Sequence, residues 1–426
     1  MEEYQQPDDQ LKERDHKKLG PELELFYIDP TVGKGLPIFL PKGATVRREL
    51  ENFIINEEIR RGYLHVRTPD IAKLELYQKS GHYPHYKDSM YAPIEIDDEK
   101  FMLRPMTCPH HFQLYLSKPH SYRELPMRIA ELAQLYRYEQ SGELMGLQRV
   151  RTFCLADSHI ICASEEQAID EVNGALDLIE YVTGVFGLKY GVDYRYRLSL
   201  GDRANTEKYY KNDAAWEKGE DLLRKLLVKR GGEFFEAKDE AAFYGPKVDI
   251  QMKNVNGKED TAFTVQYDFC MPERFGLTYI GQDGEKKRAF VVHRSSIGAI
   301  ERVMAFLIEH YGGAFPLWLA PVQATIIPIG EAHHAFAKEV VEKMRAQNIR
   351  VELDDSNESL GKKIRAAKTG KVPYLLVIGD AEVAAGTATL ESRDLAATSP
   401  ETKGKIGALA IDEIITKLSS EIKSRA

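Results

Sequence analysis

Residues 146–162 read GLQRVRTFCLADSHIIC. Taken as a β-strand, the stretch alternates with period two and puts Arg149, Arg151, Phe153, Leu155, Asp157 and His159 on one face. In a plain core that face would leave several charges without partners. Lining a cleft, its guanidiniums, aromatic ring, carboxylate and imidazole would all serve an anionic, ring-bearing ligand. The competing reading is an edge strand whose polar face meets water.

Composition bounds what surrounds this stretch. The 426 residues suffice for two or three domains, and 43% hydrophobic with 29% charged residues describes a globular chain. A net charge of -8 excludes a uniformly basic nucleic-acid coat and leaves room for a local basic patch. Cys108, Cys154, Cys162 and Cys270 have no disulfide-framework spacing, so reduced thiols and a cytoplasmic location are expected. The acidic, polar start MEEYQQPDDQ is no signal peptide, and no run approaches the ~18 apolar residues of a membrane span.

The first 20 residues are polar and read as a linker or extension. A short strand is expected at 23–29 and a Gly/Pro-rich turn at 33–41. Residues 45–62 form an amphipathic helix with Leu50, Phe53, Ile54 and Ile59 on one face, ended by Gly62. A strand at 63–69 stops at proline. Residues 165–186 read as a helix, with Glu165 and Glu166 in the turn where the dipole favours them, and 205–231 as another. Strands are expected at 101–105, 195–200, 247–253 and 261–269. A strand at 289–293 passes into a helix over 293–312, with Gly298 near its start. Strands parted by hairpin-like turns predict an α+β domain on an antiparallel sheet, over 21–320. From 321 to 426, strands at 324–329, 350–354 and 374–378 alternate with helices at 332–346 and 360–368, predicting βαβ units in a small α/β domain.

Three features carry chemistry. Residues 106–111, MTCPHH, bring a thiol and two imidazoles together, ligands that suit zinc. A catalytic zinc site needs three protein ligands and an open position, so His159 and His293 are further candidates if the chain folds them toward Cys108. A lone buried histidine is more often a core residue. Secondly, Glu301 and Arg302 fall near a helix start, where a phosphate would meet both dipole and guanidinium; an ordinary surface ion pair is the alternative. Thirdly, Lys362, Lys363, Arg365, Lys368 and Lys371 cluster in an end segment whose charges otherwise balance, which suits phosphate contact or simply a solvated helix face.

Taken in order, residues 45–69, 136–159 and 293–302 resemble the three motifs of class II aminoacyl-tRNA synthetases. RPMTCPHH (104–111), FYGPK (243–247), VHR (292–294), WLAPVQATIIPI (318–329), GKKIR (361–365) and VPYLLVIGD (372–380) are similar to the threonyl-tRNA synthetase family within that class. The resemblance runs from about residue 14 to the end. It implies a class II antiparallel sheet flanked by helices, dimerising through the first motif, followed by an anticodon-binding domain. The reaction it implies joins the threonine carboxylate to the α-phosphate of ATP, expels pyrophosphate, and passes the acyl group to the 3′ ribose of tRNA(Thr).

The resemblance also implies roles. Arg137 would meet the α-phosphate, Glu139 the adenine amino group and Arg149 the γ-phosphate. Phe153 would stack on adenine, Arg302 would hold ATP from the other side, and Mg2+ would bridge the phosphates. One Zn2+ on Cys108, His159 and His293 would bind the amino group and hydroxyl of threonine, which valine cannot complete. Met106, Asp157, Tyr244 and Gln266 would hold the amino acid. His82 would help deprotonate the tRNA 2′-hydroxyl, and Asn357, Glu382 and Arg393 would contact the anticodon.

The chain departs from the family pattern in places. Leu155 replaces a usual glutamine, YRYEQSG a common RNEPSG, MTCPHH the commoner MNCPGH, and Glu391 lies near a usual arginine. The family often carries an N-terminal domain that hydrolyses seryl-tRNA, and this sequence begins almost at the catalytic domain. The expectation is measurable serine activation, with any clearance left to a separate protein in trans. Two other readings differ in kind: a paralogue charging another carrier, and a non-catalytic regulator binding tRNA or amino acid. The regulator should lack the motif arginines, and Arg137 and Arg302 both stand.

Overall fold

The computed structural model describes residues 13–255 and 257–425. Of the expected linker, residues 1–12 lie outside the described residues. Residues 13–20 run into a helix, His16–Glu22, whose N-cap Asp15 accepts from the Lys17 N–H at 2.8 Å and whose His16 is buried. The described chain divides into two compact units, one of residues 28–37 and 51–306, the other of 13–27, 38–50 and 307–425.

The first unit is built on eight strands: β1 (Leu64–His65), β2 (Met127–Tyr136), β3 (Thr152–Cys162), β4 (Tyr194–Leu200), β5 (Phe234–Lys238), β6 (Lys247–Lys253), β7 (Glu259–Asp268) and β8 (Phe290–Ala299). Their order is β5-β4-β6-β7-β8-β3-β2-β1. The six central strands pair antiparallel, as the turn pattern predicts, but β5 joins β4 and β1 joins β2 in parallel. At one edge the cause is plain: helix Asp213–Arg230 lies between β4 and β5, and a helical crossover returns the chain in the same direction. One sheet face is covered by helix Glu165–Val185. Ser164 caps it by accepting from the Gln167 N–H at 3.2 Å, and Ala168, Val172, Ala175, Ile179 and Val182 recur at helical spacing as its buried stripe.

Two expected elements shift. Strand β8 does not turn into helix at His293; it continues to Ala299, and the helix is Ile300–Tyr311. Pairing with both β7 and β3 outweighs the local helix preference of the segment. A register shift between Ser295 and Ala299 absorbs extra residues, and Gly298 sits there at φ +71°, where a Cβ would lie 2.2 Å from the Ala262 carbonyl oxygen. Helix Pro41–Arg60 buries Leu50, Phe53 and Ile54 as expected, but Ile59 is 55% exposed.

In the second unit, β9 (Ala324–Pro328), β10 (Val351–Leu353), β11 (Tyr374–Ile378), β12 (Thr387–Ser392) and β13 (Lys405–Ala410) are ordered β10-β9-β11-β12-β13. The first three are parallel, as βαβ units require, while β12 and β13 add antiparallel strands that the sequence reading omits. Ile326, Val340, Met344, Leu376, Ile414 and Leu418 centre its core.

Candidate functional site

The register of three strands builds the site. Gln266 of β7, His293 of β8 and His159 of β3 stand directly opposite one another across the sheet, so their side chains share one face. Helix Cys108–Tyr115 brings Cys108 to the same place. Ligand atoms of Cys108, His159 and His293 all lie within 4.8 Å of one another, and all three residues are buried. A soft thiol and two imidazoles in a buried pocket match the donor set of a three-ligand zinc site. Burial, with His293 nearby, pulls His159 well below the usual imidazole range and so leaves it a lone pair for a cation; burial, with Asp157 and Asp268 nearby, pushes the Cys108 thiol up.

Around these three, Tyr244 stacks on His293 at 4.7 Å between ring centres and donates its hydroxyl to Gln266 Oε1 at 2.5 Å. Met106 and Asp157 line the same cleft, which encloses roughly 660 Å³. His82 Nε2 lies 3.7 Å from Cys108 Sγ, while its Nδ1 is held 2.7 Å from Ser80 Oγ. Gly81 makes that turn at φ +81°, where a Cβ would strike the Arg274 guanidinium that donates to the Ser80 carbonyl at 2.7 Å.

The cleft continues past Leu155 to a cationic end. Arg137 lies over the Phe153 ring at 5.1 Å, and Arg302 donates to the carbonyls of Thr261 at 2.7 Å and Gln148 at 3.1 Å. Neither arginine has an ion-pair partner among the described residues. Burial and the neighbouring Arg137 charge pull Arg302 below the ordinary arginine range. Two guanidiniums that repel each other across a cleft suit a polyanion. Arg149, 3.9 Å from Glu139 and 3.6 Å from Glu143, completes this end.

Arg151 is the exception on the starting stretch. It donates to the carbonyls of Glu139 and Lys34 and lies over Tyr138, outside the cleft. The regular strand begins only at Thr152, so period-two alternation does not reach back to Arg151. Arg149 reaches the cleft from the preceding turn instead.

In the second unit, Asn357 is exposed in the segment before helix Leu360–Thr369. Glu382 accepts from the Gly379 N–H at 3.0 Å and the Thr389 hydroxyl at 2.8 Å. Arg393 donates to the carbonyls of Lys371 at 2.7 Å and Phe315 at 2.9 Å. Of the basic cluster, Lys363 is buried and donates to the Asp354 carbonyl at 3.0 Å, so it serves the fold; Lys362 and Lys368 pair with Glu358 and Glu391.

Sequence reasoning missed Asp268 and Glu131 behind the cluster, and neither of the two imidazoles it grouped with Cys108 in MTCPHH is among the three ligand candidates. Asp268 accepts from His293, and His111 with Glu131 stands behind His159. For Asp268 a signal existed: the alternation that places Gln266 on the cleft face puts Asp268 there too.

Comparison with known proteins follows the same lines. The model of the class II tRNA synthetase core domain (G, H, P, S and T) matches residues 91–311, and the anticodon binding domain matches 323–421. Threonine–tRNA ligase of Geobacillus sp. (strain WCH70) is 48% identical over 424 residues, covering 99% of this chain and 64% of that protein. The ligase of Streptococcus sanguinis (strain SK36) is 48% identical over 428 residues, covering 100% and 64%. The chain thus spans less than two thirds of the length of these relatives. The crystal structure of the RNA binding domain of threonyl-tRNA synthetase from Cryptosporidium parvum Iowa II superposes with a TM-score of 0.87 at 35% identity, over 95% of this chain and 98% of that one.

Proposed function

The chain belongs to the threonyl-tRNA synthetases of class II, and from that premise we propose that it is a threonine–tRNA ligase: it activates L-threonine with ATP to threonyl-adenylate and pyrophosphate, then transfers threonine to the 3′ end of tRNA(Thr). The observation that carries this reading is the convergence of Cys108, His159 and His293 beside the unpaired guanidiniums of Arg137 and Arg302.

Cys108, His159 and His293 would hold Zn2+, which would supply a Lewis acid for the amino group and hydroxyl of threonine. Tyr244, Gln266, Asp157 and Met106 shape the pocket and orient the amino acid beside it. Arg137 neutralises charge that builds at the α-phosphate, where preorganised cations contribute most, and Arg302 holds ATP from the other side. Phe153 stacks on the adenine, Glu139 accepts from its amino group, and Arg149 meets the γ-phosphate. Mg2+ accompanies ATP. His82, fixed by Ser80, receives the proton of the tRNA 2′-hydroxyl during transfer. Asn357, Glu382 and Arg393 belong to the anticodon contact, the last two as groups that also hold its scaffold. A homodimer fits the exposure of Ile59 and Leu64, 55% and 56%, on the first motif. A cytoplasmic setting fits buried cysteines with no disulfide among the described residues, none of whose helices is long and apolar enough to cross a membrane.

The test is amino-acid-dependent ATP–pyrophosphate exchange with zinc assayed on the same sample. Threonine should support exchange, valine should not, and Cys108→Ala should lose both zinc and exchange. A folded, zinc-loaded sample silent with every amino acid would overturn the proposal.

A further inference from the structure

Resting on the zinc–threonine reading above, we infer that His111 and Glu131 form a positioning relay that fixes the ring of His159 and presents its Nε2 to the metal. His159 Nδ1 lies 2.8 Å from His111 Nδ1, and His111 Nε2 lies 3.2 Å from Glu131 Oε2. Two imidazole nitrogens facing each other at that distance share one proton, so one donates and the other accepts.

Glu131 decides which. Its carboxylate accepts from the Thr68 N–H at 3.1 Å, the Thr68 hydroxyl at 2.7 Å and the Arg104 guanidinium at 3.2 Å. Locked in this way, it takes the Nε2–H of His111, and His111 turns a bare Nδ1 to its neighbour. His159 must then donate through Nδ1–H, and its Nε2 is the one nitrogen with a free lone pair. His111, Glu131, His159 and Arg104 are each at most 1% exposed, so water does not compete for these hydrogen bonds.

The other histidine ligand is fixed in the opposite sense. His293 Nε2 lies 2.8 Å from Asp268 Oδ2, and Asp268 Oδ1 is held by the N–H groups of Cys270 and Met271 at 2.8 and 2.9 Å. That leaves Nδ1 of His293 for the metal. One ligand is thus oriented by a carboxylate directly and the other by a carboxylate acting through an intervening imidazole. Outer partners of metal-bound histidines are typically worth 10–100-fold in metal affinity. His111 touches the ligand, Glu131 touches His111, and neither lines the cleft, which makes them positioning residues.

The experiment measures zinc affinity by chelator competition on the full chain, with circular dichroism and the thermal midpoint recorded for each variant. His111→Phe removes the acceptor and should weaken zinc binding by roughly 10–100-fold. His111→Asn, whose amide oxygen can accept from His159 Nδ1–H, should recover part of that loss. On the wild-type protein, 15N-histidine NMR should show His159 protonated at Nδ1 and ligated through Nε2, which keeps the test independent of how the variants fold. Wild-type affinity in folded His111→Phe, or ligation of His159 through Nδ1, overturns the relay alone. A wild-type chain that binds no zinc overturns the relay and the threonine reading together.

Discussion

At the residue scale, the cleft separates two jobs by charge. The end lined by Cys108, His159 and His293 offers a thiol and two imidazoles, and the other end offers the guanidiniums of Arg137 and Arg302, which have no carboxylate partner among the described residues. Arg302 donates through Nε to the Gln148 carbonyl and through Nη1 to the Thr261 carbonyl, which fixes the plane and leaves the charge unneutralised. Arg302→Ala should therefore lower threonine-dependent exchange by about 10²–10³-fold, the usual loss for one preorganised donor at developing charge. Arg302→Lys should not restore it, because an ammonium cannot reproduce the planar fork. Steady-state kinetics in ATP and in threonine checks both, with the larger effect expected on the ATP side. Amino-acid discrimination is also decided here. On the proposed zinc–threonine reading, valine lacks the hydroxyl that the pocket would read and should be rejected by about 10⁴-fold or more, whereas serine lacks only a methyl and should be rejected by roughly 10–200-fold. Exchange assays with the three amino acids measure these ratios, and serine rejection equal to that of valine would contradict the hydroxyl-reading pocket.

At the scale of elements, what was legible follows from how local each signal is. Strand β3 declares Phe153, Leu155, Asp157 and His159 on one face because alternation is a property of the strand itself. Arg151 misleads because the sequence does not mark where the regular strand begins. The extent of β8 was not legible for a different reason: residues 294–299 become strand through partners far away in sequence, Ser158 and Val265 among them. Lys363 looks like a surface charge, yet the carbonyls that bury it belong to other segments. The relay behind His159 has the same character, since Glu131 reaches it only through pairing of β2 with β3. Gly298 is where this long-range dependence becomes measurable. Gly298→Ala would force a Cβ to within 2.2 Å of the Ala262 oxygen at a φ of +71°. Both the left-handed backbone and the contact with β7 would be disturbed, so a loss of about 2–4 kcal/mol is expected, read as a fall in denaturation midpoint. By comparison, Ser164→Ala at the cap of the covering helix should cost about 1 kcal/mol and leave exchange unchanged.

At the scale of the whole molecule, stability against acid is set by buried carboxylates tied to cations, and Asp249 on β6 isolates one such group away from the metal cluster. Burial pushes its carboxyl up, but Lys247 at 2.9 Å, Arg197 at 2.9 Å and the Ser199 hydroxyl at 2.7 Å outweigh burial and hold it below the ordinary aspartate range. Because the folded pKa lies below the unfolded one, Asp249 contributes stability that is fully present above the unfolded value of about 3.9 and is lost as pH falls through the folded value. Asp249→Asn leaves Lys247 and Arg197 facing a neutral amide. At pH 7 it should destabilise the fold by about 3–5 kcal/mol, the usual result of removing one partner of a buried ion pair. The variant no longer titrates there, so its deficit should be constant from pH 7 to about pH 4 and then shrink as the wild-type carboxylate takes up its proton. Urea unfolding of the two proteins across this range measures the gap directly. A gap that widened on acidification would mean that the folded state raises the Asp249 pKa, and that Lys247 and Arg197 do not hold it as the geometry requires.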